Sequence, residues 1–340
     1  MRLMQAMAGA PHGGAEAFFV RLAAALARAG VEQQLVIRRD AARAAALRCA
    51  GIDPVQLRFG GRFDLATRRH FRRAIAAYRP SVVLTWMNRA TRLCPRGEFV
   101  HVARLGGYYD LRYYRHCDHL IGNTRAIVGY LVAQGWPRER AHYLPNFVDA
   151  AEAAPLPRSV FGTPPDAPVA LALGRLHPNK AFDVLIPAMA RVPRLHLWLA
   201  GEGDERGMLE RQAASQGVAA RLHFLGWRDD VAALMASADF LVCPSRHEPL
   251  GNVVIEAWAA GLPVIAARSA GPEALLRDGE TGLLVPIDDV TGLAAAMERL
   301  IDDGGMRTRL AAAGRAAYAA EFAEDRVVAL YRDFLASVTR

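Results

Sequence analysis

Two short stretches carry residue types that can do chemistry. The first is Gly174-Arg175-Leu176-His177-Pro178-Asn179-Lys180, between an apolar run and a helix-like one. Such a junction lies at the carboxyl edge of a parallel sheet, near a helix N-terminus, where anions are favoured. Arg175 and Lys180 there can neutralise a diphosphate; a plain surface loop with solvated charges is the alternative. Lys180 is also the single lysine among 42 basic residues. Where exposure is the only demand, arginine serves as well, whereas a compact point-charge site distinguishes the two. The second stretch is Glu248-Pro249-Leu250-Gly251-Asn252-Val253-Val254-Ile255-Glu256. Gly251 allows close backbone approach to a ligand, and N–H groups at the start of a helix can face phosphate or sugar. The spacing puts Glu248 in the loop and Glu256 inside the helix, both able to aim the same way. A carboxylate accepts charge-assisted hydrogen bonds from ribose or sugar hydroxyls. Glu256 as an exposed helical charge is the alternative, and its neighbours Ile255, Ala257 and Trp258 weigh against it.

These residues must be placed by an α/β scaffold, because β-rich runs alternate with helix-like runs along most of the chain. Strands are expected at Arg2–Met7, Gln34–Ile37, Val82–Trp86, Phe99–Ala103 and His119–Ile121, and helices at Ala15–Ala29 and Arg68–Tyr78. Residues 151–168 are rich in proline and read as a linker between an N-terminal domain, 1–150, and a C-terminal one, 169–322. In the latter, strands start at Val169, Leu195, Leu222, Phe240, Pro263 and Gly282, with helices between them. Residues 323–340 form a last helix, expected to pack back toward the N-terminal domain. Two Rossmann-like halves place a site in the cleft between them, where strand carboxyl ends face each other.

Bulk composition narrows the function classes. The 340 residues are 52% hydrophobic and 22% charged, with a net charge of +8, which excludes a disordered chain. No apolar run is long enough to span a bilayer and the start lacks a signal-peptide core, so a cytoplasmic protein is expected. Cys49, Cys94, Cys117 and Cys243 are scattered, without the spacing of a zinc site or a disulfide framework. The charge is uneven: residues 1–150 hold 23 arginines against 10 acidic residues, while 151–340 hold 19 basic against 24 acidic. The N-terminal half therefore suits an anionic partner, whether lipid surface, phosphorylated acceptor or nucleic acid. Nucleic acid ranks last, since no recognition helix or RNA-binding motif is present.

In order and spacing, residues 169–290 closely resemble the nucleotide-sugar glycosyltransferases of the GT-B fold, particularly the large retaining family 4. The resemblance rests on Gly174-Arg175-Leu176 with Lys180, on Ala200-Gly201-Glu202-Gly203, on Glu248 through Glu256, and on Ala257 through Val264. Leu250 stands where the family usually has phenylalanine. The resemblance implies a metal-independent hexosyltransferase-like enzyme, with no cofactor, that retains anomeric configuration. Arg175 and Lys180 would hold the donor diphosphate and stabilise its departure. Glu256 would bind the ribose, Glu248 the transferred sugar, and the backbone of Leu250, Gly251 and Asn252 sugar and phosphate. Gly226, Trp227 and Arg228 lie where the family seats the base, and Gly174 and Gly201 line the donor.

The N-terminal half matches less closely. Gly13-Gly14-Ala15-Glu16 fits the family's glycine loop facing the donor phosphates. His101 is the nearest candidate for the catalytic histidine of many relatives, with His12 and His116 behind it. If the strand continues past His101, then Gly106 or Gly107 takes that place and His101 is structural. The helix at Arg68–Tyr78 can lie on an anionic membrane through Phe71, Ile75 and Tyr78, or pack on a core with its arginines solvated. The expected partners are a nucleotide-sugar donor and a glycan or lipid-linked acceptor, as in lipopolysaccharide or other surface-glycan synthesis, at the inner face of the membrane. The competing readings are an epimerase or phosphorylase on the same fold, and a non-catalytic nucleotide-sugar-binding subunit.

Overall fold

The computed structural model describes residues 1–11, 13–60, 64–148 and 153–339. They form two compact units, Met1–Phe147 with Glu324–Arg340, and Val148–Ala323. His12 and residues 149–152, at the expected domain boundary, lie outside the described residues.

The first unit contains β1 (Leu3–Met7), α1 (Gly14–Arg28), β2 (Gln33–Arg38), α2 (Ala41–Cys49), β3 (Val55–Leu57) and α3 (Leu65–Tyr78). These are followed by β4 (Val82–Trp86), α4 (Met87–Leu93), β5 (Val100–Leu105), β6 (His119–Gly122), α5 (Arg125–Ala133) and β7 (Ala141–Tyr143). The strands form one parallel sheet in the order β3-β2-β1-β4-β5-β6-β7. Both faces of β1 are buried, which is why its sequence is continuously apolar apart from Gln5. Leu3 and Met7 point into a cluster with Phe18, Phe19 and Leu22 of α1. Met4 and Ala6 point the other way, toward Phe71 of α3 and Ala90 and Leu93 of α4. Helix α1 buries its apolar residues at helical spacing, and each large one contributes about 2 kcal/mol by leaving water.

Helix α3 settles one open choice. Phe71 is fully buried against Phe59, and Ile75 and Tyr78 pack beside it. The apolar side of this helix is thus used by the core and is not presented to a bilayer. Asp64 caps α3, accepting from the Thr67 hydroxyl at 2.6 Å and from the N–H groups of Thr67 at 2.9 Å and Gly60 at 2.6 Å, and these bonds, the hydroxyl's first, lower its carboxyl pKa to about 2.

The second unit contains β8 (Val169–Leu173), α6 (Phe182–Ala190), β9 (His196–Ala200), α7 (Arg206–Ser215), β10 (Leu222–Gly226), α8 (Val231–Ser237) and β11 (Phe240–Cys243). Then come α9 (Asn252–Ala259), β12 (Val264–Ala267), α10 (Ala270–Leu275), β13 (Leu283–Val285), α11 (Val290–Asp302) and α12 (Gly304–Glu321). Its sheet is again parallel, in the order β10-β9-β8-β11-β12-β13. Residues 153–168 are not a free linker but an arm packed on this unit. Arg158 forms a two-pronged ion pair with Asp239 at 3.0 and 3.1 Å. Trp198 donates to the buried hydroxyl of Thr163 at 2.9 Å. A proline-rich composition does not reveal such anchors, since both partners lie far along the chain.

The last helix, α13 (Glu324–Val338), belongs to the first unit. Val327, Tyr331 and Leu335 enter the cluster of β1 and α1. Arg104, at the fifth position of β5 and only 3% exposed, donates to the Tyr331 hydroxyl at 3.0 Å and to Asn146. Its guanidinium lies over the rings of Phe18 and Trp86, at 4.8 and 4.6 Å. Cation–π contact and two acceptors let this charge be buried without a carboxylate.

Candidate active site

The chemistry-bearing stretches of the second unit lie where its strands end. After β8 the chain turns at Gly174, and the loop closes in a 3-10 turn, Pro178–Lys180, against the start of α6. This loop rests on the turn after β9: the Gly174 N–H donates to the Ala200 carbonyl at 3.0 Å and the Leu176 N–H to the Glu202 carbonyl at 2.9 Å. A Cβ on Gly201 would overlap the carbonyl of Gly174, and Gly201 has a φ of 148°. The Ala200-Gly201-Glu202-Gly203 turn is therefore a seat for the basic loop.

The loop after β11 meets the same loop from the other side. Lys180 Nζ and Glu248 Oε2 are 2.5 Å apart, with the two side chains 25% and 12% exposed. The other Glu248 oxygen accepts from the Gly251 N–H at 3.3 Å. Gly251 then opens α9 with a φ of 70°, a left-handed position that favours glycine, and with no side-chain cap. A helix start without such a cap keeps donors for an anion or a sugar oxygen. Glu256 lies in the second turn of α9, half-buried, beside the fully buried Ala257. The structure thus brings Lys180, Glu248, Leu250, Gly251 and Asn252 together, with Glu256 on the helix that follows. Arg175 is exposed in the loop after β8.

Gly226 ends β10 and Trp227 and Arg228 follow it, with the Gly201 N–H donating to the Gly226 carbonyl at 2.8 Å. Trp227 is 74% exposed and donates to Asp229 at 3.0 Å. Arg228 is held by both oxygens of Asp230, at 2.8 and 2.5 Å, so its charge is locally matched.

In the first unit, Gly13 and Gly14 open α1 at the end of the loop after β1. Glu16 is 6% exposed and accepts from the Ala10 N–H at 2.8 Å, stapling that loop. A cavity of about 450 Å³ opens at the carboxyl ends of β1 and β4, bordered by Ala8, Gly9, Met87, Asn88, Arg92 and Tyr109. His101 is not at this edge. It is the second residue of β5, which runs on to Leu105, so Gly106 occupies the position just past the strand end. His101 is 6% exposed and its Nε2 lies 3.0 Å from the Thr85 hydroxyl. Burial lowers its pKa to about 4. These are the surroundings of a packed, hydrogen-bonded histidine, and they match the structural alternative of the two that the sequence leaves open. His116 is on the surface, 2.8 Å from an Arg96 nitrogen.

The His101 shift has a measurable sign. Its folded-state pKa lies below the unfolded value of 6.5, so the unfolded chain takes up the proton first as pH falls. Stability is therefore full above about pH 6.5 and declines down to about pH 4, by up to about 3 kcal/mol. His142, also lowered to about 4 by burial and by His119 and Arg138, acts in the same direction. Urea unfolding at pH 7 and pH 4.5 should show the loss, and a flat profile would contradict it.

Comparison with known proteins identifies the family and the fold. Residues 167–303 match the family described as "Glycosyl transferases group 1", and residues 12–152 match "Glycosyltransferase Family 4". The lipopolysaccharide core biosynthesis glycosyltransferase LpsE of Rhizobium meliloti (strain 1021) is 40% identical over 335 residues, covering 96% of each chain. LpsD of the same organism, with the same description, is 36% identical over 329 residues, 94% of each. The chain is a family 4 glycosyltransferase. The solved structure of Anabaena Alr3699/HepE in complex with UDP superposes with a TM-score of 0.87 at 21% identity, covering 99% of this chain and all of that one. The lipopolysaccharide outer core galactosyltransferase WaaB, in its apo form, gives 0.77 at 16% identity over 99% of both. Both likenesses show the GT-B fold.

One residue that positions the site of this glycosyltransferase was not legible in its sequence. Arg246, two residues before Glu248, pairs with both oxygens of Asp183 at 2.9 and 2.7 Å and with Asp288 at 2.6 Å. It also donates to the Pro178 carbonyl at 2.9 Å, and the His247 N–H donates to the Asn179 carbonyl at 3.2 Å. The loops carrying Lys180 and Glu248 are thereby clamped together. The carboxylates lie 63 residues before and 42 after Arg246, so no local pattern announces them. With these groups about a third exposed, Arg246→Ala should cost only about 1–2 kcal/mol, or a few degrees in Tm. Differential scanning calorimetry checks this, and an unchanged Tm would remove the clamp.

Proposed function

We propose that this glycosyltransferase moves a sugar from a nucleotide-diphosphate donor held by the second unit to a lipid-linked core oligosaccharide of lipopolysaccharide. The observation that carries the donor part is the Lys180–Glu248 pair, which joins the loops after β8 and β11 beside the opening of α9. A cation for the diphosphate and a carboxylate for sugar hydroxyls stand within one hydrogen bond of each other. The acceptor part rests on the likeness to LpsE and LpsD over nearly the whole chain.

In this reading Arg175 and Lys180 hold the diphosphate and stabilise the charge that grows on it as the bond to the anomeric carbon breaks. Glu256 takes the ribose hydroxyls and Glu248 those of the transferred sugar. Leu250, Gly251 and Asn252 present backbone to sugar and phosphate, and Gly226, Trp227 and Arg228 border the base. The acceptor hydroxyl attacks the anomeric carbon from the face the diphosphate leaves, and its proton passes to the departing phosphate oxygen. Configuration is retained, and NMR of the product anomer tests this; inversion would refute it. Two protein cations supply the charge that a metal supplies elsewhere, so EDTA should leave the rate unchanged. Among the described residues no helix is long and apolar enough to cross a membrane. The enzyme is taken to work at the cytoplasmic face, where it meets a lipid-linked acceptor.

The experiment is a thermal-shift screen with UDP, GDP, ADP and their sugar conjugates, beginning with UDP because HepE is in complex with it. A ligand that binds only the folded state raises the melting temperature. A shift with one nucleotide, lost in Glu256→Ala, supports the reading; no shift with any of them counts against it. The inward place of His101 favours one alternative, a nucleotide-sugar-binding subunit without turnover. Donor consumption with acceptor present separates the two.

A further inference from the structure

The first unit carries a second concave feature that the donor chemistry leaves unexplained. Beside the cavity at the ends of β1 and β4 lie two more, of about 460 and 410 Å³, and all three share Arg92 and Tyr113. Their walls bring together Arg68 and Arg72 of α3, Arg92 of α4, and Arg96, Arg112 and Arg115 from the segments after α4 and β5. Among the described residues Arg112 alone of these has a carboxylate partner, Asp110 at 2.9 Å. Among the described residues Arg96 meets only Nδ1 of His116, at 2.8 Å, and Arg115 only the carbonyl of Arg112. For Arg68, Arg72 and Arg92 no hydrogen bond or ion pair occurs among the described residues. Six guanidinium groups around one groove with a single carboxylate between them repel one another, and the repulsion is relieved when a ligand brings the anions.

We infer that this groove binds anionic groups, phosphate or carboxylate, carried by the acceptor glycan. Three features select a glycan over a lipid surface. The site is concave, so it encloses a ligand rather than lying flat. Tyr113, with the Arg112 guanidinium over its ring at 4.8 Å, adds an aromatic surface to the arginine wall that a sugar ring can pack against. The apolar side of α3, which a bilayer contact would use, is spent on the core. Arginine suits the task because its planar fork pairs two-to-two with phosphate and carboxylate oxygens. The groove is also continuous with the cavity at the strand carboxyl ends, so a glycan anchored by its charged substituents reaches the edge where sheets of this class bind ligands. The inference rests on the acceptor reading above and names the acceptor's chemistry.

The test is calorimetric titration of the full chain with lipid-free lipopolysaccharide core oligosaccharide in three forms: untreated, dephosphorylated and carboxyl-reduced. Vesicles of phosphatidylcholine with phosphatidylglycerol form a fourth arm. Untreated oligosaccharide should bind at least about tenfold more tightly than one of the two stripped forms, which identifies the anion. The double variant R68Q/R92Q should lose that difference while its thermal shift with UDP stays at the wild-type value. Equal affinity for all three oligosaccharides overturns the inference, as does an R68Q/R92Q variant that binds like wild type. Vesicle binding that R68Q/R92Q abolishes, without oligosaccharide binding, overturns it in favour of a lipid surface. Failure of every nucleotide to shift the wild-type melting temperature would instead strike the donor reading and leave the calorimetric result standing.

Discussion

Lys180→Ala should leave the second unit folded and lower transfer by about a thousandfold, the loss found when one preorganised charge-stabilising donor is removed. Lys180 is partly exposed and belongs to a loop, so its removal opens no core cavity. Its ammonium is the cation that touches Glu248, and under the proposed function its loss leaves a half-buried carboxylate beside the leaving diphosphate. Two consequences follow, weaker donor binding and an unstabilised departing charge, and the second dominates kcat. Lys180→Arg should recover only part of the rate, because a planar guanidinium cannot occupy the point position that a compact ammonium fills. Steady-state transfer assays with urea unfolding as the control check this. A near-wild-type rate in Lys180→Ala would end the leaving-group role, and a large fall in stability would make the role structural.

Gly201→Ala should be more damaging than its single methyl suggests. The added Cβ would overlap the carbonyl oxygen of Gly174, which is backbone and cannot rotate away. The φ of 148° is itself unfavourable for a residue with a Cβ. Strain and overpacking together amount to about 3 kcal/mol, which is relieved only by pushing the Gly174–Leu176 segment off its seat. That segment carries Arg175 and leads to Lys180, so the variant should lose both stability and the thermal shift with nucleotide. The control is Gly217→Ala in the same unit, where φ is also positive but a Cβ meets nothing within 4 Å. Equal losses in the two variants would assign the whole effect to φ and leave the close approach without consequence.

These two sites show how differently residues announce themselves. The places of Arg175, Lys180, Glu248 and Glu256 at strand ends and a helix start could be read ahead of any structure because those signals are local. A strand ending, a glycine and a helix start fix which elements carry side chains eight residues apart, such as Glu248 and Glu256. The same holds for β8 and β11, whose ends match the apolar pattern because both faces of these strands are buried. Short elements such as β3 and β7, three residues each, offer too little pattern to be found.

The sequence by itself determined the alternation of strands and helices, the two-unit division, the charged motifs and the excess of arginine in the N-terminal half. Those properties are local or additive, and no fold is needed to count them. Only the tertiary structure decided which reading of each ambiguous residue holds. His101 turned from a candidate for catalysis into a buried partner of Thr85, because where β5 ends depends on its pairing with β4 and β6. Phe71, Ile75 and Tyr78 turned from a possible membrane face into core, because that depends on the sheet they meet. Arg246 acquired a role through carboxylates far along the chain, and the scattered arginines of α3, α4 and the loop after β5 became one groove. In each case the deciding partner is distant in sequence, and only the folded chain brings it within reach.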